Sequence, residues 1–196
     1  MEKEISQARL TLYGLIKSFF EAPPDINKIN AWEEILRQLK ENTGFSSLDL
    51  SVTDLLASLK KTSLNEIQDE YYELFENPFS SNKVQLCASF YIDGRLLGQS
   101  LVKLRQLLYN LNLGRSKNFT ETEDSFVFLL DTMMYLIQKG SADKWFFAQK
   151  ELFNVYLFPC AKGIAGEIGK LSGFPVYKSV SGFVDSYFLL ERCLFP

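Results

Sequence analysis

Histidine is absent from this chain of 196 residues. Its absence removes Ser-His and Cys-His nucleophile pairs, and with them His-ligated zinc and non-haem iron. Cysteine is nearly as scarce: Cys87, Cys160 and Cys193 are odd in number, far apart, and form no C-x-x-C pair. They read as reduced, buried thiols of a cytosolic protein. Long apolar runs are missing, so no segment is expected to span a membrane, which takes about 18 or more such residues. The opening Met1-Glu2-Lys3-Glu4 has neither the basic nor the apolar region of a signal peptide. Nor is there a basic cluster. A net charge of −3 without a Lys/Arg run argues against nucleic acid, whose affinity rests on neutralised phosphates. It gives a weak preference for a cationic partner. Gly163, Gly166 and Gly169 recur every third residue, but no strand precedes them and the spacing is wrong for a nucleotide loop. They are expected to let another helix pack closely, with a locally broken helix as the alternative. No metal or cofactor is expected. A carboxylate- or lysine-based hydrolase is left without support, although the residues permit one.

What the chain does have is aromatic mass, 17 Phe and nine Tyr, carried on helical periodicity. Ile5, Leu12, Ile16, Phe19 and Phe20 share a face over 5–20, and Pro23-Pro24 stops that helix. Trp32, Ile35, Leu36 and Leu39 define a second helix over 29–41, closed by Thr43-Gly44. A short third covers 52–60. Ser63-Leu64-Asn65-Glu66 is a capping box opening a helix to about Phe75. Residues 77–97, from Asn77-Pro78 to Asp93-Gly94, show no period and are expected to be an irregular, apolar-rich loop. Helices then follow over 98–112, 124–139 and 142–158. Thr120-Glu121-Thr122-Glu123 reads as a second capping box, and the 124–139 helix, apolar nearly all round, belongs at the centre of a bundle. Pro159 breaks the chain before a helix to about Leu171, and Gly173-Phe174-Pro175 breaks it again before a last helix over 179–193. Persistent alternation is absent. The fold class is therefore all-α, a multi-helix bundle of eight to ten helices, taken as a single domain over 1–196; length alone also allows two packed lobes.

Glu121, Glu123 and Asp124 have two readings. As acids in a first helical turn they complement the macrodipole, worth about 0.3–1 kcal/mol. As an acidic lip beside the apolar 77–97 segment they face a cationic ligand. Phe79, Phe90, Tyr91, Tyr156 and Phe158 are core or ligand-contacting aromatics by the same kind of choice.

Four stretches, taken together and in order, resemble the TorD family of cytoplasmic chaperones (DmsD and NarJ types). These are Arg9-Leu10-Thr11-Leu12-Tyr13 running to Pro23-Pro24, and Tyr71-Tyr72-Glu73-Leu74-Phe75-Glu76-Asn77-Pro78. The others are Glu121-Thr122-Glu123-Asp124-Ser125-Phe126, and Leu152-Phe153 through Tyr156-Leu157-Phe158-Pro159. Ser125 and Tyr156 stand where the family usually has His, Ala88-Ser89 where it has Glu-Ser, and Cys160 where it often has Trp. The resemblance implies a TorD-like helical domain without enzymatic activity. Such a chaperone binds the N-terminal, twin-arginine-type leader or the apo form of a molybdopterin oxidoreductase subunit. It holds that subunit for cofactor insertion before export or assembly. The implied contact residues are Tyr72, Leu86, Phe90, Tyr91, Glu121, Glu123, Asp124, Ser125, Phe126, Tyr156 and Phe158. A homodimer by domain swapping is also implied. The alternative to a chaperone is a constitutive interaction subunit of a redox complex.

Overall fold

The computed structural model describes residues 2–42, 46–116, 119–140 and 142–195. Among them are ten α-helices: α1 (Glu2–Phe20), α2 (Ile26–Asn42), α3 (Ser46–Lys61), α4 (Leu64–Tyr71), α5 (Ala88–Asp93), α6 (Gln99–Asn110), α7 (Phe126–Gln138), α8 (Asp143–Glu151), α9 (Phe158–Lys170) and α10 (Pro175–Arg192). Two π-turns, Tyr72–Glu76 and Leu152–Leu157, complete the order. The all-α expectation holds, and none of the described helices is long and apolar enough to cross a membrane. The Thr43-Gly44 stop lies outside the described residues.

The chain forms two compact units, neither of them continuous in sequence. One unit is built from 1–17, 86–161 and 195–196, the other from 18–85 and 162–194.

In the second unit α3 packs on both α2 and α10. Asp25 caps α2 by accepting from the Lys28 amide at 2.8 Å, and the expected Ser63–Glu66 capping box opens α4. The Tyr-Tyr-Glu-Leu-Phe stretch has a clear structural use. Tyr71 donates its hydroxyl to the Phe20 carbonyl at 3.2 Å, and Tyr177 donates to Phe19 at 2.9 Å. These bonds occupy two of the carbonyls that the end of α1 leaves without helical partners. Phe75 lies edge-on to Phe20, Tyr71 and Tyr177, with ring centroids 5.2–5.6 Å apart. The last helix starts at Pro175, not 179, because proline fits the first helical position, where its missing N–H would be unpaired anyway. Its next two amides, Val176 and Tyr177, donate to the buried Glu70 carboxylate at 3.3 and 2.9 Å.

Glu70 therefore caps a helix a hundred residues away. Burial pushes its carboxyl above the usual glutamate range, and the amides of Tyr177 and Val176 only partly offset this. A group whose folded pKa is raised adds stability that is complete below its unfolded value and is lost as pH rises through the folded one. Glu70→Ala should cost about 1–3 kcal/mol, because it strands two amides. Glu70→Gln should cost less and should gain on the parent as pH rises from about 4 to 7, since it carries no charge to bury. Melting curves of the three proteins across that range check both points; a parent that gains on the Gln variant instead would refute the burial account.

In the first unit α7 packs on α8 and the second π-turn, and α5 packs on α6 and the same π-turn. Phe126, Leu129, Leu130, Met133 and Leu136 of α7 are fully buried, as expected of a central helix. Pro159 does not break the chain. The preceding π-turn, in which the Phe158 amide reaches back five residues to the Phe153 carbonyl, carries the helix through it. Gly166 and Gly169 sit in the unbroken α9 with open space at their Cβ positions, so the expected close helix packing is not found there. Cys160 is buried and Cys87 half-buried, but Cys193 is exposed, which corrects the expectation of three buried thiols.

Candidate functional site

The stretch expected to be irregular contains a short helix. Residues 88–93 are too few to show a hydrophobic period, and the cap that starts α5 comes from elsewhere in the chain. Cys87, its N-cap residue, offers no side-chain bond. Instead, the Asp124 carboxylate accepts from the Ser89 amide at 3.0 Å, while Thr122 donates its hydroxyl to the other oxygen at 2.6 Å. Backbone bonds from Ala88 to the Asp124 carbonyl (2.8 Å) and from Phe126 to the Leu86 carbonyl (2.6 Å) tie 86–88 to 124–126. They form an isolated antiparallel bridge between Cys87 and Ser125.

This arrangement corrects the reading of the acidic turn. The Thr120–Glu123 box does not start α7. Ser125 is the N-cap, accepting from the Phe128 amide at 3.3 Å, and no acid lies in the first turn of that helix. Asp124 is 1 % exposed and fully engaged, so its charge is not presented to solvent. Glu123 is half-buried and takes both Nε and Nη2 of Arg105 on one oxygen, at 3.0 and 2.8 Å. Burial raises its pKa, but the Arg105 guanidinium outweighs that and holds the carboxyl below the ordinary range. Glu121 is exposed, its carbonyl accepting from Arg115.

The aromatic candidates divide in the same way. Phe90 and Tyr91 are half-buried and meet edge to face at 5.2 Å. Tyr156, on the second π-turn against which α5 packs, is 2 % exposed. Burial, with the Glu151 and Asp93 charges, pushes its phenol up to about 12, so it stays protonated. Phe126 is buried, and Phe158 is half-buried with its ring 5.7 Å from Phe153. Tyr72 is 48 % exposed on the first π-turn, in the other unit. Phe79 is 94 % exposed, which settles it as no part of the core. The structure thus brings together Leu86, Phe90, Tyr91, Asp124, Ser125, Phe126 and Tyr156 around one short helix.

Sequence reading missed Ser89 and Thr122, which complete the Asp124 cap, and Arg105, the partner of Glu123. Each acts across 18 or 35 residues, or inside an irregular turn, and so leaves no local pattern. The second unit has an open cleft of about 1000 Å³ between α3, α4 and the start of α10, lined by acids such as Asp54 and Asp69. None of the candidate residues lines it. No group of His, Cys, Asp or Glu among the described residues could hold a metal ion.

Fold and site define an all-helical protein whose candidate residues sit on and around a short helix capped from a distant turn. The chain belongs to the nitrate reductase delta subunit family, whose model matches residues 30–163. The fold is shared with the crystal structure of a protein provisionally described as a redox enzyme maturation protein from Archaeoglobus fulgidus. The two are 17 % identical with a TM-score of 0.54, over 92 % of this chain and 93 % of that one. No curated protein matches the sequence.

Proposed function

We propose that this chain is a maturation chaperone of the TorD/NarJ kind, acting in the cytoplasm on the catalytic subunit of a nitrate reductase-type molybdoenzyme. It binds that subunit's N-terminal leader, of twin-arginine type or a remnant of one, and holds the apo form for cofactor insertion. It does no chemistry of its own. The observation that carries the reading is the family match, whose span includes α5, the acidic turn and the second π-turn. Within the proposal, residues 1–196 act as one TorD-like domain.

The half-buried Leu86, Phe90 and Tyr91 supply an apolar contact for the leader, taken as a helix in a groove. Glu121 and Glu123 supply the acidic edge. Ordering a flexible leader offsets much of the gain from burial, which places the affinity at roughly micromolar. Removing both charges in Glu121→Ala/Glu123→Ala should weaken a leader peptide several-fold at low salt. The difference should shrink toward nothing as salt shortens the screening length to about 3 Å near 1 M. Titrations at several salt concentrations check this, and equal binding at low salt would remove the acidic edge from the proposal.

The family description, which speaks of a subunit, favours a second reading: a constitutive component of the enzyme complex. Affinity capture from native cells separates the two. A cofactor-free catalytic subunit supports the chaperone, a mature cofactor-bearing complex supports the constitutive subunit, and no partner at all sinks both. A homodimer by helix exchange belongs to the same proposal, and light scattering of the purified chain tests it.

A further inference from the structure

Among the described residues, two that are not glycine have a positive φ, Leu97 and Asn112, each at 56°. Asn112 is ordinary, since asparagine tolerates the left-handed region. Leucine does not, because there its Cβ crowds the next carbonyl oxygen. The surroundings of Leu97 explain how it is held. Asp93, the last residue of α5, accepts from both the amide and the hydroxyl of Ser100, at 3.0 and 2.5 Å. That staples the end of α5 to the first turn of α6. Gly98 passes beneath the staple so closely that a Cβ would overlap the Asp93 carboxylate. The four residues between, Gly94 to Leu97, are forced into a tight excursion. Within it Leu96 and Leu97 are 47 % and 68 % exposed.

A side chain that is two-thirds exposed returns little packing for the strain it imposes. Glycine at 97 would follow the same path without that strain. A strained residue that its surroundings over-determine is a mark of function. The geometry points to Leu96 and Leu97 as a preorganised apolar knob that inserts into an apolar pocket of the client subunit. This inference rests on the chaperone reading above. The knob begins where α5 ends, and α5 carries Phe90 and Tyr91, so it continues the proposed contact surface within one unit. Two leucines alone bury too little to hold a second copy of the chain, since stable interfaces need about 1,000 Å² or more. Added to an existing contact they are sufficient, and a rigid loop loses little entropy on docking.

The test uses the full chain and, as probe, the catalytic subunit made in cells unable to synthesise the molybdenum cofactor. Leu97→Gly should raise Tm by about 2–4 °C, since it relieves the backbone, and should raise Kd about tenfold or more. Leu96→Ser should leave Tm within about 1 °C and raise Kd comparably. A higher Tm with unchanged Kd in Leu97→Gly would overturn the knob while leaving the chaperone standing. A Tm lower by more than about 4 °C, beyond what glycine's extra freedom in the unfolded chain costs, would show that packing, not docking, retains Leu97, and would overturn it too. If the parent protein fails to bind the apo subunit, the chaperone reading falls and the knob with it. A variant that changes only the oligomeric state would assign the knob to a second copy, against the inference.

Discussion

Asp124→Ala should lower the melting temperature by roughly 5–10 °C, the largest stability loss expected of any single polar side chain in the candidate site. The carboxylate is buried and accepts from the Ser89 amide and the Thr122 hydroxyl. Alanine strands the buried Ser89 amide and takes the acceptor of the half-buried Thr122 hydroxyl, at about 2–3 kcal/mol together. In a chain of this size each kcal/mol moves Tm by about 2–4 °C. The loss falls on α5, which has six residues and no side-chain cap from its own N-cap residue. Asparagine keeps one acceptor and should lose about half as much. Thermal unfolding followed by circular dichroism measures both, and an alanine variant that melts with the parent would show that α5 does not depend on Asp124. The same geometry makes Asp124 a poor probe of charge recognition. Its removal would loosen Phe90 and Tyr91 whatever the ligand's charge, and for that reason the salt-dependent test above uses Glu121 and Glu123.

The second large effect is on binding. Phe90→Glu should weaken a leader peptide and the apo subunit by about 100-fold or more, with the fold retained. Phe90 is half-buried, so a carboxylate there can turn to water in the free protein. Docking an apolar leader segment would strip that water from the charge, a penalty of several kcal/mol that the parent does not carry. Leu86→Glu should act in the same direction. Calorimetric titration gives the affinities, and a melting curve for each variant guards against misfolding. A folded variant that binds like the parent would move the contact surface away from α5.

Much of the fold was legible in the sequence, for physical reasons that also mark the limit. The helices α1, α2, α6 and α7 announce themselves by period, and Ser63–Glu66 by a cap whose partners are three residues apart. Both signals are local. Helix α3 starts at Ser46, six residues before its apolar face becomes regular, so the period alone truncates it. Helix α5 carries no local signal because its first amides are served by Asp124, 35 residues on. Ser125 is masked as the cap of α7 by the Thr-x-x-Glu pattern just before it, in a turn where Asp124 serves Ser89 and Glu123 serves Arg105. The candidate residues were found as types. Their exposure was not, because whether an acid faces water or an amide is decided by tertiary contacts.

The second π-turn, Leu152–Leu157, carries a consequence for how this chain tolerates change in length. It takes one residue more than the α-helix running from α8 into α9 needs, and Pro159 follows it closely. Deleting one residue from Leu152–Leu157 would leave an ordinary α-helix whose later side chains keep their faces, whereas the same deletion from a regular stretch would turn every later side chain by about 100° around the axis. Helix α9 would then present the face it presents now. At most places in a packed helix a one-residue deletion is simply a defect. At Leu152–Leu157 it exchanges one regular winding for another, so a one-residue deletion there should stay helical and keep the same residues of α9 buried.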